Sequence, residues 1–492
     1  MDGSSLVRKE MDAPDWVRDA IFYQIFPDRF ARSTRLTKPE YLEDWDALPT
    51  SRGYKGGDLY GIVEHLDHIQ TLGANALYLT PIFQAASNHR YNTHDYYQVD
   101  PLLGGTAAFR ELLDTCHARG MKVVLDGVFN HVGRGFFQFH DILESGPHSP
   151  YCDWFHIRSF PLNAYQPHQA PGYSAWWGIP SLPKLNITTP AVREFLWRVA
   201  TYWLEFGIDG WRLDTPNEID ADTFWQEFRR RCRAVNPEAY LVGEIWGDAS
   251  RWLQGDQFDA VMHYELTRAI FGFVAADSLN DEAIRKGAYK HITSLSAEEF
   301  AEIVKRLQTR YRPEVTAVQL TLLGSHDPAR ALTIMGGDES ALRLALLFQM
   351  TYPGAPCVYY GDEIGLTGGH DPLNRQAMPW HKPESWNRGL LEYTQQLIRL
   401  RREYAALRRG SYQELYARDG VYAFVRELQG ERFLIALNVN RRPADCEVST
   451  TALPELHGEF HDLLSGLSAH VDHQRLIWLS LPARSGGILR QV

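Results

Sequence analysis

The stretch TTPAVREFLWRVATYWLEFGIDGWRLD, residues 188–214, decides the fold class. Thr189 suits a helix cap and Pro190 a first turn; Val192, Phe195, Leu196, Val199 and Trp203 fall on one helical face before Gly207 ends the run. The next segment, Gly210 to Leu213, is short and apolar without alternation, as in a parallel strand covered on both faces by helices. That strand ends on a charge, Asp214, with Arg212 two positions earlier and therefore on the same strand face.

The same order of amphipathic helix, glycine and apolar strand recurs in GDLYGIVEHLDHIQTLGANALYLTP (57–81) and TAAFRELLDTCHARGMKVVLDGVFN (106–130). Apolar segments at 20–27, 239–246, 258–266, 317–327 and 355–365 bring the candidate strands to eight. Eight parallel strands alternating with helices predict an α/β fold, a (β/α)8 TIM barrel, with a doubly wound open sheet as the alternative. Two regions stand outside the repeat. Residues 131–185 show no clear period and hold aromatic clusters such as YSAWWG, with Trp176 and Trp177, that either line a cleft or pack the insert on the barrel. From about residue 410 the texture changes to VYAFVREL, RFLIALNV and RLIWLSL between polar turns, a separate antiparallel β-domain. The expected division is 1–130 and 186–408 for the two parts of the barrel, 131–185 for the insert and 409–492 for the β-domain.

At 492 residues the chain exceeds the size of a single core, and 44% apolar with 23% charged residues is the balance of a soluble protein. A net charge of −11 argues against nucleic acid or an anionic membrane as partner. The N-terminus has no apolar core of signal-peptide length and no run of about 18 apolar residues occurs, so a cytoplasmic location is expected. Five scattered cysteines without C-x-x-C spacing suggest reduced thiols, with neither a disulfide framework nor a zinc site.

Barrel enzymes place their chemistry at the C-terminal ends of the strands. Here Asp126 ends VVLD, Asp214 ends WRLD, Glu244 ends LVGE, and His326 and Asp327 end TLLGSHD. Any one of these acids alone reads as a helix cap or a solvated loop residue. Together they point either to a hard-metal site or to acid/base chemistry on a glycosidic bond. Arg212 is expected to keep Asp214 ionised as a nucleophile, and Glu244, beside Trp246, to be held protonated as a general acid.

DGVFNH (126–131), GWRLDTPNE (210–218), EIWG (244–247) and SHD (325–327), in this order, resemble the four short motifs of the α-amylase family of glycoside hydrolases. The resemblance spans essentially the whole chain and implies a retaining hydrolase of α-1,4 and also α-1,6 glucosidic bonds in maltooligosaccharides, cyclodextrins or related α-glucans. It implies Asp214 as nucleophile, Glu244 as acid/base and Asp327 as the residue that grips sugar hydroxyls. His131, Arg212 and His326 would hold the sugar, Tyr91 would stack on it, and Glu218, Trp246, Asp371 and Arg375 would contribute further binding. The insert becomes the family's domain B and the C-terminal segment its β-sandwich.

LPKLN (182–186) is similar to the MPKLN of the neopullulanase, cyclomaltodextrinase and maltogenic amylase branch. Only about twenty residues precede the first strand, so that branch's extra N-terminal domain is expected to be missing. No cofactor is required by this reading and no metal ligand is assigned. Calcium stays open: Glu218 stands where many relatives have a calcium-associated histidine, and ARSTRLTKPEY (31–41) lacks the Asp/Asn density of a calcium loop. An oligosaccharide is the expected partner, the oligomeric state is not set, and the alternatives are a glucosyl-transferring or isomerising relative of trehalose synthase or amylosucrase type, or a non-catalytic transporter subunit.

Overall fold

The computed structural model describes residues 13–166, 171–286, 289–466 and 468–492; the first twelve residues, part of the N-terminus expected to lack a targeting signal, lie outside them. Eight parallel strands appear where the apolar segments predict them: β1 Phe22–Ile25, β2 Ala76–Leu79, β3 Lys122–Gly127, β4 Gly210–Leu213, β5 Tyr240–Gly243, β6 Ala260–Val261, β7 Leu320–Leu322 and β8 Ala355–Tyr359. Their order is β6-β5-β4-β3-β2-β1-β8-β7, and a parallel bridge between Met262 and Leu320 joins the two ends. The sheet is therefore a closed barrel, and the open-sheet alternative falls.

The helix before β4 runs Pro190–Phe206 and buries Val192, Leu196, Val199 and Trp203, with Gly207 at φ 117° turning the chain back. Thr189 does not cap it; its hydroxyl donates to the Asp153 carbonyl at 2.6 Å and so ties the helix start to the insert. Gly210 has a steric reason, because a Cβ there would meet the Tyr240 carbonyl oxygen at 2.2 Å. Two strands are shorter than the apolar runs. In 258–266 the chain leaves the sheet after the Met262 bridge and enters a helix at Tyr264–Val274, and in 317–327 only Leu320–Leu322 forms strand.

Below the barrel the turn Asp15–Asp19 seats Trp16 against Phe22 and Tyr240, ring centroids 6.0 Å from each. Arg409 holds this turn from the far end of the barrel sequence, with Nη2 at 2.8 Å from Asp15 and 2.7 Å from Asp19.

The C-terminal region is all antiparallel: β9 Ser411–Arg418, β10 Val421–Leu428, β11 Glu431–Asn438, β12 Ala444–Ser449, β13 Gly458–Asp462, β14 Ser468–Val471, β15 Leu476–Leu481 and β16 Ser485–Gln491. They form one sheet in the order β9-β10-β11-β16-β13-β14-β15-β12. Strands from both ends share an apolar core built on Val425, Leu434, Val448, Phe460, Ile477 and Leu489, so the sheet closes on itself like a sandwich. Tyr422, Phe424, Phe433 and Ile435 alternate onto the other face and join the barrel core. In the insert, helix Phe137–Ser145 packs Phe139 on Phe155 and Tyr173, and isolated bridges such as His131–Lys184 tie it to the rim.

Candidate active site

The register of the barrel assembles the charges. Asp126 in β3 pairs with Arg212 in β4, so both side chains leave the sheet at one level on one face. Arg212 is buried, with Nη1 at 2.8 Å from Asp126 and 3.0 Å from Asp214, and Nη2 at 3.0 Å from Glu244. One guanidinium thus touches three carboxyls from three neighbouring strands. Two tyrosines complete the Asp126 shell: Tyr78 and Tyr91 donate to its Oδ2 at 2.8 and 2.7 Å.

The residue after Asp214 is bent to serve Glu244. Thr215 sits at φ 37°, ψ 49°, a left-handed conformation that costs a β-branched residue about 1–3 kcal/mol. In that conformation its N–H donates to Glu244 Oε2 at 3.0 Å and its hydroxyl to Asp214 Oδ2 at 3.3 Å. The other Glu244 oxygen accepts from Trp246 Nε1 at 2.9 Å, and the Trp246 ring leans on Tyr264, 5.4 Å between centroids. Trp246 therefore orients the carboxyl through its indole N–H.

Burial pushes the Asp214 carboxyl well up, against the pull of Arg212 and with neighbouring Glu244 adding to the rise. Burial also raises Glu244, Asp327 and Asp126, each opposed by Arg212. At Asp214, Arg212 is the largest influence favouring the ionised form against burial. Four clustered carboxyls face two guanidiniums, Arg212 and Arg375, so the group retains a proton, as an acid catalyst requires.

Opposite lies a stack of rings. Tyr91 lies parallel to His326 with centroids 5.3 Å apart, and its hydroxyl is 2.5 Å from His326 Nε2; His89 stacks behind it at 5.9 Å. Gln24 Nε2 contacts His326 Nδ1 at 2.8 Å, which makes Nδ1 the acceptor and leaves the proton on Nε2. Burial pushes His326 well below the usual histidine range and His131 and His89 down to about 3, so all three are neutral. Asp327 has Oδ1 at 3.3 Å from His326 and 3.8 Å from Arg375, and its buried Oδ2 has no hydrogen-bond partner.

Arg375 is held largely inside the fold. It is 8% exposed, donates from Nε to the His326 carbonyl at 2.8 Å, and meets the half-exposed Asp371 at 3.1 Å. His131 stacks on Trp176 at 5.2 Å, and Trp176 on the exposed Trp177 at 4.6 Å, so the insert touches the site through these rings. Glu218 sits in the turn Pro216–Glu218, part-exposed, its carboxylate 3.6 Å from Lys184. Among the described residues no three His, Cys, Asp or Glu side chains gather as a metal site. Gln24, Tyr78, His89 and Thr215 escaped the sequence reading. Gln24 and Tyr78 had a signal, as polar positions on inward-facing barrel strands; Thr215 had none, since its role lies in its backbone.

A closed barrel with an arginine-bridged set of carboxyls at its C-terminal rim defines a glycoside hydrolase of the barrel class. Residues 24–432 match the catalytic domain of alpha amylase, and the chain belongs to the alpha-amylase family. It is 45% identical over 438 residues to a cyclomaltodextrinase of Geobacillus thermopakistaniensis (strain MAS1), covering 89% of this chain and 71% of that one. It is 42% identical over 481 residues to neopullulanase 2 of Thermoactinomyces vulgaris, covering 97% and 78%. The native structure of the Nostoc punctiforme debranching enzyme superposes with a TM-score of 0.90 at 50% identity, covering 98% of this chain and 99% of that one. No helix among the described residues is long and apolar enough to cross a membrane.

Proposed function

We propose that this enzyme hydrolyses α-1,4 glucosidic bonds of short maltooligosaccharides and cyclodextrins by double displacement, and α-1,6 bonds as well. The observation that carries this reading is the Arg212 guanidinium in contact with Asp126, Asp214 and Glu244 at once. Such a bridge holds Asp214 and Glu244 side by side, in keeping with the roughly 5–5.5 Å separation of a retaining pair. Asp214 attacks the anomeric carbon while Glu244 gives its proton to the leaving oxygen. Glu244 then takes a proton from water, which displaces Asp214 and releases the sugar with its anomeric configuration retained. The free Oδ2 of Asp327 accepts hydrogen bonds from sugar hydroxyls, and neutral His131, whose Nε2 has no protein partner, donates to them without placing a competing cation beside Asp214, while His326 keeps its N–H on the Tyr91 hydroxyl.

The likeness to a cyclomaltodextrinase and a neopullulanase supports small and cyclic substrates, and the likeness to a debranching enzyme supports the α-1,6 bond. A cytoplasmic location accords with this, since an intracellular maltogenic amylase of Bacillus subtilis is also a relative. We place Glu218 away from direct sugar contact, engaged with Lys184, and assign the protein no metal requirement. The test compares kcat/KM for maltotriose, β-cyclodextrin, panose and soluble starch, with products separated by chromatography. Short and cyclic substrates are expected to lead and glucose and maltose to accumulate. A tenfold lead for starch, or a transfer product such as trehalose as the main species, overturns the reading.

A further inference from the structure

Between the short helix Pro27–Phe30 and the helix Leu59–Glu64 the chain runs through a long irregular segment at the rim of the barrel. A segment of that length without regular structure needs something other than a hydrogen-bonded ladder to fix it. At its centre lies a charge that the reaction does not use. The side chain of Lys55 is 0% exposed; its Nζ donates to the carbonyl oxygens of Asp44 and of Ala47, the latter at 2.6 Å, and stands 3.5 Å from Glu43 Oε2. That Glu43 oxygen is buried and makes no hydrogen bond, whereas Oε1 accepts from the Thr50 amide at 3.2 Å. Two peptide carbonyls and one carboxylate pointing at one spot form the oxygen donor set of a hard cation. Here the spot is filled by an ammonium that donates to the two carbonyls and sets its charge against the carboxylate, which Arg29 Nη1 also approaches at 3.9 Å.

The loop so held supports the sugar-facing ring stack. Asn88 donates to the carbonyls of Ser51 and Gly53, at 3.2 and 2.8 Å, and Arg29 Nη2 to the same Gly53 oxygen at 2.8 Å. The Asn88 carbonyl in turn accepts from Arg90 Nη1 at 2.8 Å, and Arg90 is locked to Asp100 at 2.7 Å. The next residue is Tyr91, which touches both Asp126 and His326. Loop 43–55 is thus joined by hydrogen bonds through Asn88 to Arg90, the backbone neighbour of Tyr91.

We infer that Lys55 is the built-in cation of this loop: its ammonium occupies a three-oxygen cage that would otherwise need a bound metal ion, and acts through Asn88 as a positioning residue for Tyr91. Lys55→Ala removes the ammonium but keeps the oxygens, and the vacated cage becomes a site for an external cation. Lys55→Met fills the same space with an apolar chain and leaves no room for one.

The experiment measures the melting temperature and kcat/KM for maltotriose in chelator-treated protein, with calcium chloride, ammonium chloride or choline chloride at equal ionic strength. Wild-type protein is expected to show the same melting temperature in all of them. Lys55→Ala is expected to lose roughly 5 °C and recover at least half of it in calcium or ammonium but not in choline, with kcat/KM recovering in step. Lys55→Met is expected to be destabilised and unresponsive. The inference is overturned if Lys55→Ala does not respond to any cation, if Lys55→Met responds equally, or if chelation destabilises the wild type. If Lys55→Ala accumulates only unfolded, its refolding yield with and without calcium decides the same question: a calcium-dependent yield supports the cage, an equal yield refutes it. A melting temperature is read here, so the outcome does not depend on which substrate the enzyme prefers.

Discussion

Trp246→Phe isolates one hydrogen bond at the acid. The substitution keeps an aromatic ring beside Tyr264 and deletes the indole N–H that reaches Glu244 Oε1 at 2.9 Å. A buried hydrogen bond to a charged acceptor contributes about 1.5 kcal/mol, and one pH unit corresponds to about 1.4 kcal/mol. The indole favours the ionised form of Glu244 and so works against burial, which raises this carboxyl. Without it the carboxyl rises further and stays protonated to higher pH. The alkaline limb of kcat/KM, which reports loss of the proton needed for the leaving oxygen, is therefore expected to move up by about one pH unit. The assay is a pH series of kcat/KM on maltotriose for wild type and variant, with melting curves at each pH to exclude unfolding. An unmoved limb, or a shift to acid, refutes the assignment of Glu244 as an acid restrained by Trp246.

Asp214→Asn and Glu244→Gln are each expected to lower kcat by about three orders of magnitude or more on maltotriose while leaving the melting temperature close to wild type; a variant that keeps a tenth of the activity excludes the residue from covalent catalysis. NMR of the first products is expected to show the α-anomer before mutarotation, and initial β-anomer rules out double displacement. Outside the site, burial pushes the Asp362 carboxyl up to about 7, partly held back by Arg330 at 2.8 Å and reinforced by neighbouring Glu363. The folded state therefore holds a proton that the unfolded chain has lost, and stability contributed by this group declines as pH rises from the ordinary carboxylate range to about 7. Asp362→Asn, which imitates the protonated carboxyl, is expected to keep the melting temperature near wild type at the acid end of that window and to flatten its fall across it; an unchanged slope shows that Asp362 is already ionised below it.

Much of the barrel could be read from residue order because its signal is local. Pro190, the apolar face of 190–206 and Gly207 each act within a few residues, and a parallel strand announces itself by an unbroken apolar run. The strand ends were harder. Nothing within 258–266 distinguishes Val261, which pairs, from Tyr264, which starts a helix, since both are apolar and buried. In the site, Asp126, Asp214, Glu244 and Asp327 were legible as charges closing apolar strands, and they do meet at one rim. The protonation of that group was not legible, because it depends on burial from all sides. Thr215 and Lys55 stayed hidden for different reasons. The first acts through a backbone angle, and the second through carbonyls eight and eleven positions away, which no side-chain motif encodes.

The grip of Arg409 on Asp15 and Asp19 bears on how the protein is made. The two ends of this clamp stand 394 positions apart, so most of the polypeptide must leave the ribosome before the first turn of the barrel acquires its lock. Trp16 likewise waits for Tyr240 on β5, synthesised in the middle of the chain. Helices and neighbouring strands can pair as they emerge, but the floor of the barrel cannot set until synthesis has passed residue 409. Nascent chains of intermediate length therefore carry a barrel floor whose apolar rings are not yet sealed.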